Sequence, residues 1–199
     1  MKCLIILLIT GIQFSCNREN RKPYSVSKNR PIFKLVIPTD SKSIVLKNNT
    51  IYFDNKKYDG ALYQLYKNKN DTESVVYFSN GIMNGVSKKW YSNKQLMELR
   101  YYSNGEKNGP QISFFDNGNK KFEFIAQNDK YEGILKEWNR EGQLVHLATF
   151  RNGQEEGPQK MWYDNGKIRA NYVMLNGKRY GLLGTKNCKN VSDSIFVVK

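Results

Sequence analysis

Apolar and polar residues alternate over short stretches of this chain, and turn-forming pairs interrupt the alternation about every dozen positions. Phe122, Phe124 and Ala126 occupy alternate positions, for example, and their neighbours Lys121 and Glu123 are charged. Such alternation is typical of a β-strand with one buried face. The interrupting pairs are mostly Asn-Gly, which adopts the positive φ angles of tight hairpin turns and breaks helices. The pattern therefore predicts an all-β fold built from hairpins.

The pattern recurs with a period of 24 residues. A glycine opens each unit, and the opening glycines are Gly85, Gly109, Gly133, Gly157 and Gly181. An aromatic residue stands five positions after each of the first four: Trp90, Phe114, Trp138 and Trp162. Two turns then follow in each unit, as at Asn165-Gly166 and Asn176-Gly177, and residues 60–84 form an earlier unit that is one residue longer. The period indicates a repeat protein in which each unit buries its aromatic residue against its neighbours.

Two strands in each unit predict an elongated antiparallel β-meander over residues 60–181, which forms a single twisted or curled sheet. Apolar segments at 32–37, 44–46 and 51–53 are interpreted as leading strands, so residues 32–59 are expected to cap one open edge of the sheet. Residues 182–199 are expected to form a C-terminal cap or tail. The repeat region is therefore one domain with a short segment at either end.

The N-terminal sequence indicates export. Lys2 precedes an apolar run of twelve residues, which suits a signal peptide and is too short to span a membrane. Ser15 stands directly before Cys16, as in bacterial lipoprotein signals, so residues 1–15 are expected to be removed and Cys16 to carry lipid. Residues 16–31 would then form the lipid anchor and a flexible tether. The alternative is an ordinary secretory signal with a coincidental cysteine.

The net charge bears on which kinds of partner the chain can bind. The chain has 199 residues with 32 Lys and Arg against 18 Asp and Glu, a formal net charge of +14. Nucleic acid is one explanation, but no nucleic-acid-binding motif is present, and an exported protein would rarely meet it. Attraction of the tether to anionic lipid or lipopolysaccharide is a second explanation, and a solvated charged face is the third. We expect no nucleic-acid partner.

The sequence contains few residues that could act in catalysis or bind a metal. His146 is the only histidine, and no nucleophile or metal-ligand motif accompanies it, so a packed or rim histidine is expected. Glycine-rich turns are abundant, but they punctuate hairpins and do not lead from a strand into a helix. The sequence predicts no enzyme activity, no catalytic or cofactor-binding residues and no metal site.

The unit at residues 157–166, Gly-Pro-Gln-Lys-Met-Trp-Tyr-Asp-Asn-Gly, resembles the MORN repeat in its bacterial variant form. The repeat region as a whole is similar to the bacterial antitoxin family called YwqK. Asn93-Lys94 and Glu141-Gly142 depart from the Asn-Gly expected in the first turn. The resemblance implies a hairpin-repeat sheet that binds other molecules and has no catalytic residues.

Two hypotheses for function follow. In the first, the sheet binds an unidentified protein, such as a toxin that reaches the bacterial cell envelope, and the chain is an antitoxin or immunity protein anchored in the membrane through its lipid. The candidate binding residues are strand positions on the face opposite the Trp/Phe ladder: Lys89, Tyr91, Phe115 and Tyr163. These side chains are equally consistent with an ordinary core. In the second hypothesis, the chain is a structural envelope protein that binds membrane lipid or lipopolysaccharide.

Overall fold

The computed structural model describes residues 36–67 and 71–182, and within these ranges the chain forms fifteen strands and no helix. The predicted signal segment, Cys16, the tether and residues 183–199 lie outside the described residues. The first seven strands are β1 (Val36–Pro38), β2 (Ile44–Lys47), β3 (Thr50–Phe53), β4 (Lys56–Lys57), β5 (Gly60–Leu65), β6 (Thr72–Ser79) and β7 (Ile82–Trp90). The other eight are β8 (Leu96–Ser103), β9 (Glu106–Phe114), β10 (Lys120–Gln127), β11 (Lys130–Trp138), β12 (Leu144–Arg151), β13 (Gln154–Trp162), β14 (Ile168–Leu175) and β15 (Lys178–Leu182).

Twelve of these strands form one long sheet. Strands β5 to β15 follow each other as an antiparallel meander, and β1 adds to the edge at β5 in the parallel direction. The first and last strands, β1 and β15, do not pair with each other, so the sheet is not closed into a barrel. The predicted all-β meander is confirmed.

Tight turns of the predicted kind join the two-strand units. Asn104 and Gly105 have φ angles of 52° and 86°, the conformation of a type I′ turn, and Asn152-Gly153 and Asn176-Gly177 repeat it. The amide of Gly105 donates a hydrogen bond of 2.8 Å to the carbonyl oxygen of Met83, which lies in the preceding unit. Neighbouring units are therefore joined at their turns as well as through their strands.

The turns at the other end of the strands, such as those at Asn93 and Asn117, are joined by asparagine side chains. The Nδ2 atom of Asn93 donates a hydrogen bond of 2.7 Å to the carbonyl oxygen of Asp116, and that of Asn117 donates one of 2.9 Å to the carbonyl oxygen of Arg140. Donor and acceptor are 23 residues apart in both cases, close to one repeat period. These two hydrogen bonds give asparagine a use at the turn beyond its backbone conformation, and Glu141 interrupts the series one unit later.

Two β-bulges recur in each unit and were not predicted. In the first, one residue lies opposite no partner; Lys121 is such a residue, because Lys120 pairs with Phe114 and Phe122 pairs with Ser113. In the second, one residue faces three, as Thr149 faces residues 156–158. Four opening glycines lie in this wider bulge with positive φ: Gly85, Gly109, Gly133 and Gly157. Gly181 also has positive φ, but it pairs directly with Tyr172 in a regular ladder.

The two faces of the long sheet differ in burial. Directly paired residues on neighbouring strands point to the same face, so the register assigns each side chain to a face. Most buried side chains lie on one face, called the packed face: Leu62, Phe78, Gln111, Ser113, Ala126, Leu135, Ala148, Gln159, Ala170 and Tyr172. The other face, called the outer face, carries most of the exposed apolar residues of the repeat strands. Each unit therefore buries one face, as the alternation predicted.

A second, three-stranded sheet formed by β2, β3 and β4 packs against the long sheet. Its Ile44, Ile51 and Phe53 contact the buried cluster of Tyr58, Leu62 and Phe78. The expectation that all the leading strands cap the open edge was therefore wrong: within the described residues only β1 lies at that edge, and β2 to β4 cover the packed face beside it. The cause is that β2 to β4 hydrogen-bond to one another and present apolar side chains to the core.

Candidate functional site

The four repeat aromatic residues Trp90, Phe114, Trp138 and Trp162 are the last residues of β7, β9, β11 and β13, and each is half-buried. They follow each other along the side of the sheet where alternate strands end and the Asn93-type turns begin. The closer ring contacts of the sheet join other residues: the ring centroids of Phe124 and Tyr131 are 4.5 Å apart, and those of Tyr131 and Phe150 are 5.0 Å apart. The repeat aromatics therefore close the strand ends, and a second aromatic cluster fills the packed face.

The prediction that the four candidate binding residues lie in strands was wrong for three of them. Tyr91, Phe115 and Tyr163 each begin a tight turn, because the strand ends at the preceding aromatic residue; the amide of Tyr163, for example, donates a hydrogen bond of 2.9 Å to the carbonyl oxygen of Lys167 across the turn. Lys89 does lie in a strand, but on the packed face, where its Nζ is 3.6 Å from Glu73. These four side chains therefore lie at or near the ends of the strands, and they do not share a common outer face.

The three turn residues also differ in their surroundings. The Tyr91 hydroxyl donates a hydrogen bond of 3.0 Å to the carbonyl oxygen of Phe114, and the Lys121 ammonium lies 5.8 Å from the centre of the half-buried Phe115 ring. Tyr163 is 43% exposed. Tyr91 therefore joins its unit to the next one, the Phe115 contact lies within a single unit, and Tyr163 presents much of its ring at the surface.

An apolar row crosses the outer face of the long sheet. Direct pairing in the register joins Ala61 with Tyr77, Val86 with Tyr101, Pro110 with Ile125, Ile134 with Thr149, and Pro158 with Val173 and Tyr180. We call this row the outer stripe. Its C-terminal half is the more exposed, with Ile134 and Tyr180 both at 54% and Val173 at 43%. Each wide bulge sets one residue against three, so it leaves the strand parity unchanged and the row continues from one unit to the next.

Charged residues flank the outer stripe in the neighbouring row of the same face. Lys88, Lys136 and Lys160 lie there, together with Glu123. The Glu123 carboxylate is 2.6 Å from Lys120 Nζ and 3.4 Å from Lys136 Nζ. Burial would raise the pKa of Glu123, but the hydrogen bond and charge of Lys120, aided by Lys136, hold it below its usual value. The charged residues of this row are therefore mostly lysines, and apolar residues such as Leu99 and Leu147 lie between them.

A cleft of about 340 Å³ opens on the packed face near the ends of β11 to β14. We call it the His146 cleft; its lining is Glu137, Val145, His146, Met161, Trp162, Tyr163, Asp164 and Arg169. His146 Nδ1 lies 2.9 Å from Glu137 Oε2. That hydrogen bond is the main cause that lowers the pKa of Glu137, against the opposing effect of burial, and the charges of His146 and Lys121 add to it.

The His146 ring forms part of the cleft wall. Its Nε2 is shielded from solvent and has no hydrogen-bond partner in the described part of the chain. The contact that the structure gives this ring is the one through Nδ1, which holds the Glu137 carboxylate. Over residues 36–67 and 71–182, no three His, Cys, Asp or Glu side chains converge as metal ligands would. The expectation that the chain is not an enzyme stays a prediction.

Sequence reasoning missed both the outer stripe and the cleft. The stripe depends on the strand register across the two bulges of each unit, and alternation alone does not reveal these bulges. The cleft unites residues from two units that are 24 or more positions apart, such as Glu137 and Trp162. A signal was present in the repeat itself, because His146 takes the place that Phe122 has one period earlier.

Comparison with known proteins supports the repeat assignment. The family model described as the MORN repeat variant matches residues 83–104 and 155–173, which correspond to strands β7 to β8 and to most of β13 to β14. Two stretches of the chain are thus similar to MORN variant repeats. The chain is a repeat protein, and its two matched stretches lie three periods apart. No curated protein matches it.

Among solved structures, the chain is similar in part to a point mutant of S. aureus TarM, crystallised in complex with Fondaparinux, alpha-GlcNAc-glycerol and UDP. The sequence identity is 16% and the TM-score is 0.33. The match covers 55% of this chain and 21% of TarM, so it spans about a fifth of that protein's length. No long apolar helix that could span a membrane occurs among the described residues.

Proposed function

We propose that this chain is a non-catalytic binding scaffold that holds a protein partner along the outer stripe. The observation that supports the proposal is the continuous apolar row on the outer face, in which Ile134 on β11, Val173 on β14 and Tyr180 on β15 are all exposed. Contiguous exposed apolar surface on a soluble domain marks a site of interaction more often than single exposed residues do. Tyrosine is also a common anchor in protein interfaces.

The charges around the stripe indicate the chemistry of the partner. Lys136 and Lys160 flank it, and the chain as a whole carries a net charge of +14. A partner with an apolar ridge and an acidic rim would match this surface, and opposite charge would speed its association. A toxin that reaches the cell envelope is the partner we propose, in which case the chain acts as an antitoxin or immunity protein.

The proposed cellular location is the bacterial cell envelope, where lipid on Cys16 would anchor the chain in the membrane. The apolar run before Cys16 and the polar residues after it support this part of the proposal. Cys16→Ala tests it in the native cell, because the lipoprotein hypothesis requires that wild type partitions with membrane and that the variant does not. Equal partitioning would leave an ordinary secreted protein. This outcome is independent of whether the outer stripe binds a partner.

Membrane lipid or lipopolysaccharide is the second candidate ligand. The flanking lysines and the apolar stripe are the features that favour it, because basic and apolar surfaces together attract anionic membranes. The protein without its lipid anchor would then sediment with anionic vesicles, and salt would weaken the association. Ile134→Glu would abolish it. Binding to vesicles in place of a protein would move this function ahead of the first.

A photo-crosslinking amino acid at single positions tests the stripe. We expect Tyr180 and Ile134 to crosslink to one protein when replaced in turn, and Tyr163 to serve as the matched control, because it has similar exposure but lies at a turn on the sheet edge. Val173→Glu should remove the crosslink from position 180 without changing the circular dichroism spectrum. A crosslink from position 163 alone would place the partner on the edge residues and reject the outer stripe.

A further inference from the structure

We infer that the His146 cleft is a binding site for a neutral sugar ring. The cleft lies on the packed face, since His146 pairs there with Met161 and Glu137, so the inference does not rest on the proposed partner of the outer stripe. Its volume of about 340 Å³ is at the lower end of the range of small-ligand pockets. A single ring with polar groups around its edge fits such a volume.

The lining of the cleft combines aromatic rings with both kinds of charged group. Trp162 and Tyr163 offer aromatic surface, Glu137 and Asp164 offer carboxylate acceptors, and Arg169 offers guanidinium donors. A simple anion would meet two carboxylates, and a simple cation would meet the guanidinium. Sugar hydroxyls both donate and accept hydrogen bonds, so one neutral ring can satisfy all three charged groups while its C–H face packs on an aromatic ring.

The two carboxylates are held in place before a ligand arrives. Glu137 Oε2 accepts a hydrogen bond from His146 Nδ1 at 2.9 Å, and Asp164 Oδ1 accepts one from Asn139 Nδ2 at 3.2 Å. Each carboxylate keeps a second oxygen for a ligand. Groups fixed in this way lose less conformational freedom on binding, which raises affinity.

Comparison with the position two units earlier shows what is special about this cleft. There, Asp116 forms a salt bridge with Arg140, and Lys121 lies over the Phe115 ring. Asp116 corresponds to Asp164, and Lys121 to Arg169, each 48 residues earlier. Within the described ranges, neither Asp164 nor Arg169 takes part in a salt bridge. Among the described residues, the same scaffold thus pairs the earlier charges with other side chains and places Asp164 and Arg169 in the lining of the cleft.

Titration with methyl β-D-glucopyranoside, followed by Trp162 fluorescence and by saturation-transfer NMR, tests the inference on the full chain. We expect saturable binding, and about tenfold weaker binding for Arg169→Gln and for Asp164→Asn, because each loses a hydrogen bond to a charged group. Asp116→Asn is the matched control, since it makes the same change at the corresponding turn position, and its affinity should equal that of wild type.

Three results would overturn the inference. The first is no saturable binding of the glucoside at tens of millimolar. The second is binding of glucuronate or glucosamine in preference to the neutral glucoside, which would show that the cleft recognises charge. The third is an equal loss of affinity in Asp164→Asn and Asp116→Asn, which would place the ligand elsewhere. Unchanged circular dichroism spectra of both variants ensure that the comparison concerns binding and not folding.

Discussion

The side chain of Gln159 replaces a missing strand hydrogen bond of Thr149. Its Nε2 donates a hydrogen bond of 2.7 Å to the Thr149 carbonyl oxygen, at the wide bulge where Thr149 faces three residues of β13. Gln111 repeats the arrangement 48 residues earlier, with a hydrogen bond of 2.9 Å to the carbonyl oxygen of Tyr101. Both glutamines are fully buried. The amide therefore gives a hydrogen bond to a half-buried carbonyl that lies at the bulge in the strand ladder.

Gln159→Leu should destabilise the fold by about 1 kcal/mol, the net contribution of one hydrogen bond. Leucine fits sterically, because Leu135 occupies the corresponding position one unit earlier and is buried. Urea unfolding followed by tryptophan fluorescence measures the change. The control is Gln154→Leu on the same strand, where the side chain is exposed and no loss is expected. Equal stability of the two variants would mean that the Thr149 carbonyl finds another donor.

Lys94→Gly should stabilise the protein by about 1 kcal/mol, because Lys94 has a φ of 70° that side chains other than glycine tolerate poorly. It occupies the turn position where Gly118 and Gly142 stand in later units. The substitution also removes a salt bridge of 3.0 Å to Asp71, but the Lys94 side chain is 74% exposed, so solvent screens the pair and its loss matters little.

Lys94→Ala separates these two effects, since it removes the same salt bridge and keeps a side chain in the left-handed region. Its melting temperature should lie below that of Lys94→Gly. If both variants melted together below wild type, the salt bridge and not the backbone conformation would dominate at this turn.

The sequence contained the repeat period, the glycine and asparagine turns and the buried alternate positions, because each of these depends on local backbone chemistry. Asn104-Gly105, for instance, requires no tertiary information to be placed in a type I′ turn. The bulges were not predicted, since residues such as Lys121 are locally ordinary and become unpaired only through strand register. The separate sheet of β2 to β4 was missed for the same reason: which edge a short strand joins is a long-range choice.

The Gly81→Ala variant should be destabilised more than Gly177→Ala, although both glycines occupy the same position of a type I′ turn with φ angles of 77° and 73°. An added Cβ at Gly177 meets no atom of the described residues within 4 Å, so the backbone conformation is the main cost, about 1 kcal/mol. At Gly81 the Cβ would lie 2.5 Å from the carbonyl oxygen of Ile51 in β3. The clash forces the small sheet away from the long one.

Hydrogen exchange identifies that separation directly. The Ile51 amide donates a hydrogen bond of 2.8 Å to the carbonyl oxygen of Gly81, so its exchange should accelerate in Gly81→Ala and stay slow in Gly177→Ala. Equal exchange of Ile51 in the two variants would show that the small sheet does not depend on this close approach.

His146→Phe should raise the pKa of Glu137 toward its ordinary value, because the hydrogen bond from His146 is the largest cause of the lowering. A carboxyl group with a lowered pKa in the folded state stabilises the fold above its unfolded pKa, and this contribution disappears as the pH falls through the folded pKa. Wild type should therefore lose stability on acidification in that window, and the variant should lose less. Phenylalanine is tolerated at the corresponding position, where Phe122 is half-buried.

Carboxyl ¹³C NMR measures the titration of Glu137 and of Glu123 in the same experiment. Glu123 is the control: its pKa is lowered by Lys120 and Lys136 against the effect of burial, so it should titrate as in wild type. A change at Glu123 as large as that at Glu137 would contradict a local effect of the histidine.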